Sequence, residues 1–197
     1  MIKKTILIGN GESRLGIDFN SITGYKIGCN ATYRDTLIDC LVAVDRRIVI
    51  EACKNNFHKI IYTRPDWINQ FKYCENIEVL PDLPYQGDKK ADDPFNWGTG
   101  THACNLAGTM KPKEIHLYGF DLWGNTNRIN NIYKGTENYD PQDHHAIDPR
   151  FWIYQLAKCF ELYPNTQWIQ HQLPGWKKPE SWHYSNLSIN TLNNSKS

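Results

Sequence analysis

Gly9-Asn10-Gly11-Glu12-Ser13 follows directly on the short apolar run Thr5 to Ile8. A turn at the carboxyl end of a buried strand is where open α/β sheets bind ligands. Glycines there let backbone N–H groups come close to a phosphate, and a helix start behind the turn adds a favourable partial charge. Asn10 tolerates a left-handed backbone and can hydrogen-bond a ribose or phosphate. The same residues also read as a plain Asn-Gly turn. They form neither a GxGxxG fingerprint nor a P-loop. Asn96-Trp97-Gly98-Thr99-Gly100-Thr101 is a second candidate. Two glycines and two hydroxyls open a helix there, which suits a phosphate or carboxylate as well as a simple cap. Asn30, just past the run Tyr25 to Cys29, can read a base or ribose edge, or can cap local backbone.

Acids and histidines complete the set. Gly119-Phe120-Asp121 closes a strongly β-forming run, and Asp121 can reach a ribose hydroxyl, a metal or a neighbouring loop. Asp45 is a similar acid at a strand end. Neither belongs to a DxD pair. His144 and His145 end a long polar loop, and a histidine titrating near neutrality is the usual base when a hydroxyl must lose its proton. Adjacent in the chain, they point different ways and make poor joint metal ligands. No Gly-x-Ser-x-Gly elbow, Cys-His protease signature or His-Glu-x-x-His occurs. The six cysteines contain no CxxC and no zinc-ligand spacing, so a reduced, intracellular chain without a metal is expected.

The elements that must position these residues follow from the apolar pattern. Lys4 to Ile8 reads as a central strand buried on both faces. Tyr25–Cys29, Cys40–Val44, Lys59–Tyr62, Ile77–Leu80 and Glu114–Tyr118 are further strands, and Thr166–Gln170 is expected to be the last. Helices are expected over Ile48–Asn55, from a cap at Thr99 or Thr101 to Thr109, and over Pro149–Tyr163. Residues 81–96 read as loop, and Asn190 onward as a frayed end. Strands alternating with helices predict an α/β, Rossmann-like, doubly wound and mostly parallel sheet. The whole chain, 1–197, reads as one nucleotide-binding domain with a lid insertion at about 122–145.

Composition excludes several classes. With 40% hydrophobic and 22% charged residues the chain is an ordinary globular one, and a net charge of +1 gives no global field toward nucleic acid or membrane. The apolar run at the N-terminus is too short for a signal segment or a membrane span, so a cytoplasmic location is expected. The aromatics are numerous, with seven Trp and eleven Tyr, and serve to fill cores or to stack on sugars and bases.

Taken in order, these motifs resemble a known family. A GNGxS turn after strand one, a Cys-Asn after strand two, a Gly-Thr-Gly at a helix start, Glu-Ile-His-Leu-Tyr-Gly-Phe-Asp, and a His after a polar lid look like the small bacterial sialyltransferases. Those enzymes transfer sialic acid from CMP-sialic acid without a metal. The pattern also resembles, more distantly, the 6-hydroxymethylpterin pyrophosphokinase-like proteins. It covers roughly residues 1–160 and is best matched over Thr99–Asp121.

The resemblance implies a CMP-linked sugar donor and a glycan or small hydroxyl acceptor, with no cofactor and no nucleic acid. Asn10 and Asn30 would hold the phosphate and the cytidine ribose, Thr99 and Gly100 the donor carboxylate and phosphate. Gly9, Gly11, Ser13, Asp45, Thr101, Gly119, Asp121 and Trp123 complete the expected nucleotide site. His145 or His144 would be the base, and Tyr133 would supply the lid hydroxyl that Trp123 lacks. Asp45 stands where the family has Asn, and Glu12 where it has Pro. Two alternatives remain open: a diphosphate-transfer enzyme holding Mg²⁺ on Asp45 and Asp121, and a nucleotide-binding protein without catalysis. A homo-oligomer is compatible with the sequence.

Overall fold

The computed structural model describes residues 2–84, 87–124 and 126–193. One sheet organises them. Its strands are β1 (Lys4–Ile8), β2 (Tyr25–Cys29), β3 (Cys40–Val42), β4 (Ile60–Thr63), β5 (Ile77–Val79), β6 (Glu114–Tyr118), β7 (Gln167–Gln172) and β8 (Leu187–Thr191). Their spatial order is β5-β4-β3-β2-β1-β6-β7-β8, and every neighbouring pair is parallel. The fold is α/β and Rossmann-like, as the alternation of elements predicts.

The helices are α1 (Arg46–Lys54), α2 (Thr99–Thr109) and α3 (Arg150–Leu162). β1 shows why two layers form. Leu7 joins the core under α2 and α3 with Leu117, Leu156 and Phe160, while Ile6 and Ile8 join the opposite core with Ile48 and Val49 of α1. Apolar side chains alternating along a strand buried on both faces require cover on both sides. The small residues Ala103, Ala107 and Gly108 let α2 lie close to its neighbours, and a Cβ on Gly108 would overlap the Tyr163 ring. Side-chain bulk there would push the helix off the sheet.

The chain runs outward from β1 to β5, then crosses back through α2 to β6, which pairs directly with β1. The direction of winding therefore reverses between β1 and β6, and their carboxyl ends open a crevice at that point.

Several expected elements differ in detail. β3 stops at Val42 because the Asp45 side chain accepts from Arg47 N at 2.9 Å and starts α1 there. Neither Thr99 nor Thr101 caps α2. The cap is Gly98, without a side-chain bond, and the Thr101 hydroxyl turns back to Gly98 O and Gln155. Helices do not fill every crossover: β1–β2, β2–β3 and β4–β5 are joined through short 3₁₀ turns. An eighth strand was not expected: β8 is an edge strand held to β7 across Trp168–Gln172, and its last two residues, Asn190 and Thr191, belong to the stretch read as frayed. Its side chains are exposed from Ser188 on and leave little core pattern to read, since an edge strand is fixed by backbone pairing.

The cysteines are not all reduced. Cys29, Cys40, Cys104 and Cys159 are free and buried, but Cys53 at the end of α1 and Cys74 form a disulfide with Cα atoms 6.4 Å apart. Among the described residues no helix is long and apolar enough to cross a membrane.

Candidate functional site

A cleft of about 220 Å³ opens at the carboxyl ends of β1 and β6. It is built from the β1 turn, the β6 turn, Asn30, the first turn of α2 and parts of the 122–147 segment. The two turns lie against each other. Gly9 N donates to Tyr118 O at 2.8 Å and Gly11 N to Gly119 O at 2.9 Å. A Cβ on Gly9 would lie 2.5 Å from Gly119 O, and one on Gly11 would overlap the Asp121 carboxylate. Glycine is thus required here because two backbones touch. One expectation changes as a result: these amides are committed to β6, and Asn10 lines the cleft between them.

Asp121 holds the arrangement from below. It is 6% exposed. Its Oδ2 accepts from Ser13 N at 2.9 Å and from Asn130 Nδ2 at 3.1 Å, and its Oδ1 accepts a short bond from the Ser13 hydroxyl. Burial pushes its carboxyl pKa up, while the Ser13 and Asn130 donors pull the other way. Asn130 also accepts from Glu12 N at 2.8 Å and donates to Trp123 O at 3.1 Å. One carboxylate and one amide therefore join the β1 turn, the β6 turn and the segment beyond it.

The other wall comes from α2. The N–H groups of Thr99, Gly100 and Thr101 stand at the start of an 11-residue helix whose first intrahelical acceptor, Gly98 O, is taken by His102 N. Such leading amides have no partner within the helix and carry the positive end of its dipole. All three residues line the cleft. The Thr99 hydroxyl donates to Asn30 Oδ1 at 2.9 Å. Asn30 has φ 51°, a left-handed conformation that asparagine tolerates better than most residues.

The 122–145 segment is tied to the body beside this wall. Asn10 Nδ2 donates to the Tyr139 hydroxyl at 3.1 Å, which also accepts from Ala31 N at 3.2 Å. Arg34 forms an ion pair with Glu51 at 2.5 Å and reaches Glu137 O, while Asn138 donates to Glu51. Lys134 pairs with Glu12.

The residues expected from sequence fall into three groups. Gly9, Asn10, Gly11, Asn30, Thr99, Gly100, Thr101, Gly119, Asp121 and Trp123 come together around the cleft. Ser13 lies buried beneath it on Asp121. Asp45, Tyr133, His144 and His145 do not line it. Asp45 caps α1 and pairs with Arg47 at 3.1 Å. The Tyr133 hydroxyl donates to Asp35 at 2.9 Å and accepts from Arg14 at 2.5 Å, and burial raises its pKa. His144 and His145 are exposed, His144 3.7 Å from Asp140 and His145 bridged to Arg128, immediately before Ala146 and Ile147, which do line the cleft.

Sequence reasoning missed Tyr139, Asn130 and Trp152. Tyr139 sits in the same Asn-rich stretch as Tyr133, and no spacing distinguishes which hydroxyl meets Asn10. Among the described residues no three His, Cys, Asp or Glu side chains gather as a metal-ligand group.

No protein-family model and no curated protein sequence matches the chain. Solved structures do. The sialyltransferase CstII from Campylobacter jejuni in complex with the substrate analogue CMP-3FNeuAc superposes with a TM-score of 0.52 at 17% identity, over 86% of this chain and 80% of that one. CstII with cytidine-5'-monophosphate superposes at 0.54 and 18% identity, over 89% and 81%. A further CstII complex with CMP gives 0.53 at 17%. At this identity the likeness is one of fold: the chain shares the fold of the sialyltransferase CstII.

Proposed function

We propose that the protein is a glycosyltransferase that passes a sugar from a CMP-linked donor to an acceptor hydroxyl without a metal or cofactor. The observation that carries this reading is the convergence of Asn10, Asn30 and the leading amides of α2 on one cleft where the sheet reverses its winding. The fold shared with CMP complexes supports it.

In this reading the Thr99, Gly100 and Thr101 amides hold the phosphate, as helix N-termini do for anions. Asn30 orients Thr99 and meets the ribose. Gly9, Gly11 and Gly119 let the two turns meet, and Ser13 and Asp121 brace them. The 122–145 segment serves as the lid that excludes water, because water attacking the donor is the obvious side reaction. His145 or His144 takes the acceptor proton, worth about 10²–10⁴ in rate. The acceptor oxygen bonds to the anomeric carbon as the bond from that carbon to the phosphate oxygen breaks. The electron pair leaves with CMP, whose developing charge the α2 amides stabilise.

The test is thermal shift with CMP, UMP and ADP, followed by hydrolysis of CMP-sialic acid. CMP should raise Tm more than the other two, by the equivalent of about 2.7 kcal/mol at a hundredfold excess over Kd. His145→Ala or His144→Ala should slow turnover by about 10²-fold or more. An equal response to UMP or ADP removes CMP specificity, and unchanged turnover in both variants removes the histidine base.

The exposure of both histidines favours a second reading, a nucleotide-binding protein without catalysis, which would show the CMP shift and no turnover. The Mg²⁺-dependent alternative has less support, since Asp45 lies outside the cleft that Asp121 lines.

A further inference from the structure

A chain of polar side chains crosses the last three strands of the sheet. Glu114 and His116 stand on β6, His171 on β7 and Asn190 on β8. His116 Nε2 lies 3.1 Å from Glu114 Oε2, His116 Nδ1 lies 2.8 Å from His171 Nε2, and Asn190 Nδ2 lies 2.9 Å from His171 Nδ1. Both imidazoles are buried, and the Tyr118 ring stacks on His171 at 4.0 Å between centroids. None of the four residues lines the cleft.

The groups at its two ends fix where the protons of this chain sit. The Asn190 amide donates, so His171 Nδ1 accepts and the His171 proton is on Nε2. That N–H donates to His116 Nδ1. The His116 proton is then on Nε2 and goes to the Glu114 carboxylate. With both rings neutral, every donor has its acceptor. One added proton fits only if the chain reverses: His171 must carry its proton on Nδ1, and Asn190 must turn its oxygen toward it. Two added protons leave two charged rings with N–H groups facing each other at 2.8 Å and no acceptor between them. The other titratable groups around the pair are Glu114 and Tyr118 of β6 and Lys4 of β1. Burial, then His116 and Lys4, push His171 down to about 4 from 6.5. Burial lowers His116 too, against the pull of Glu114.

What this chain holds is an edge. β8 ends the sheet and pairs with β7. Leu187 packs on the core at one end of β8, and Asn190 meets His171 near the other. His171 lies between Gln170 and Gln172, whose side chains take the opposite face of β7. Both of those amides donate to Phe120 O, at 2.8 and 3.0 Å, in the β6 turn that borders the cleft. β7 therefore carries the histidine pair on one face and supports the cleft from the other.

We infer that His116 and His171 form a proton-operated latch, which fixes β8 while both rings are neutral, releases it as they are protonated, and through β7 loosens the β6 turn at the cleft. This holds independently of the glycosyltransferase reading.

The experiment is hydrogen exchange of the full chain between pH 8 and pH 5, corrected to protection factors and read on peptides from β8, the β6 turn and β1. An imidazole that titrates at 6.5 in the released strand and at about 4 in the held one makes release about 30-fold more frequent at pH 5 than at pH 8 from His171 alone. β8 should be less protected than β1 at every pH and should lose at least that factor, with the β6 turn loosening in the same window. Asn190→Asp places a carboxylate opposite His171 Nδ1, where a charged ring gains an acceptor, so β8 should keep its protection at pH 5. Asn190 is exposed, and the Tm of the variant checks its folding. His171→Gln, which takes up no proton, should flatten the β8 profile. If β8 and β1 share one protection factor throughout, β8 leaves only when the whole chain unfolds and the latch is overturned. Asn190→Asp losing protection as wild type does overturns it as well. If β8 loosens while the β6 turn does not, the link to the cleft is overturned.

Discussion

Replacing Asp121 separates bracing from chemistry. Three donors converge on its carboxylate: Ser13 N, the Ser13 hydroxyl and Asn130 Nδ2. In Asp121→Ala all three lose their acceptor. The two Ser13 donors are buried, and each unsatisfied buried donor costs about 1–3 kcal/mol. Asn130 is half-buried and can turn to water. The sum is a loss of about 4 kcal/mol. In Asp121→Asn the side-chain oxygen can take the Oδ2 position and keep both N–H donors, while its NH₂ meets a Ser13 hydroxyl free to rotate and accept. The cost there is about 1 kcal/mol at most.

The sign with pH follows from burial. The Asp121 carboxyl is pushed up, so the folded chain holds its proton to higher pH than the unfolded chain does. Its contribution is therefore fully present at low pH and is lost as pH rises through the folded value. The gap between wild type and Asp121→Asn should be wider at pH 4 than at pH 7. Urea denaturation reads both, through a lower midpoint at unchanged slope. An Asp121→Ala variant as stable as wild type would refute the bracing role. If Asp121→Asn folds normally yet abolishes turnover of CMP-sialic acid, the carboxylate acts on the ligand itself and is more than a brace.

Two further outcomes follow from the same geometry. Gly9→Ala drives a Cβ to 2.5 Å from Gly119 O, a backbone atom that cannot swing away, so a loss of about 1–3 kcal/mol is expected in urea, together with weaker CMP binding; an unchanged midpoint would contradict the contact. His102 and His171 are buried and pushed down to about 4 from 6.5, so the unfolded chain takes up their protons first as pH falls below 6.5. Stability should be flat above that value and fall by roughly 2 kcal/mol per histidine by pH 5. Equal unfolding free energies at pH 7 and pH 5 would mean that these rings are not held neutral.

The linear pattern of residues determined much of the fold. An apolar run of period-free residues such as Thr5–Ile8 can only be a strand covered on both faces, and glycines at strand ends mark turns where backbone approaches something closely. Glu114–Tyr118 coincides with its predicted limits because β-forming residues are bounded there by Lys-rich and Gly-containing turns. Asn10, Asn30, Thr99 and Asp121 were recognisable as strand-end and helix-start residues, positions that a parallel sheet brings to one edge.

What came close to these glycines was decided only by the tertiary structure. Gly9 and Gly11 face the β6 turn, over a hundred positions away in the chain, so their amides serve the fold. β8 escaped notice because an edge strand is fixed by pairing and not by side-chain pattern. The Cys53–Cys74 bond depends on how α1 and the segment before β5 pack, which spacing does not encode. Tyr133 and Tyr139 are alike in sequence, yet Arg14 and Asp35 hold the one while Asn10 meets the other. Trp123 reads as an isolated aromatic in a polar loop until Trp176, from the far end of the chain, stacks behind it. Local residue types carry backbone preference and burial, but the partner across a cleft is set by how distant strands pair, and that information is not local.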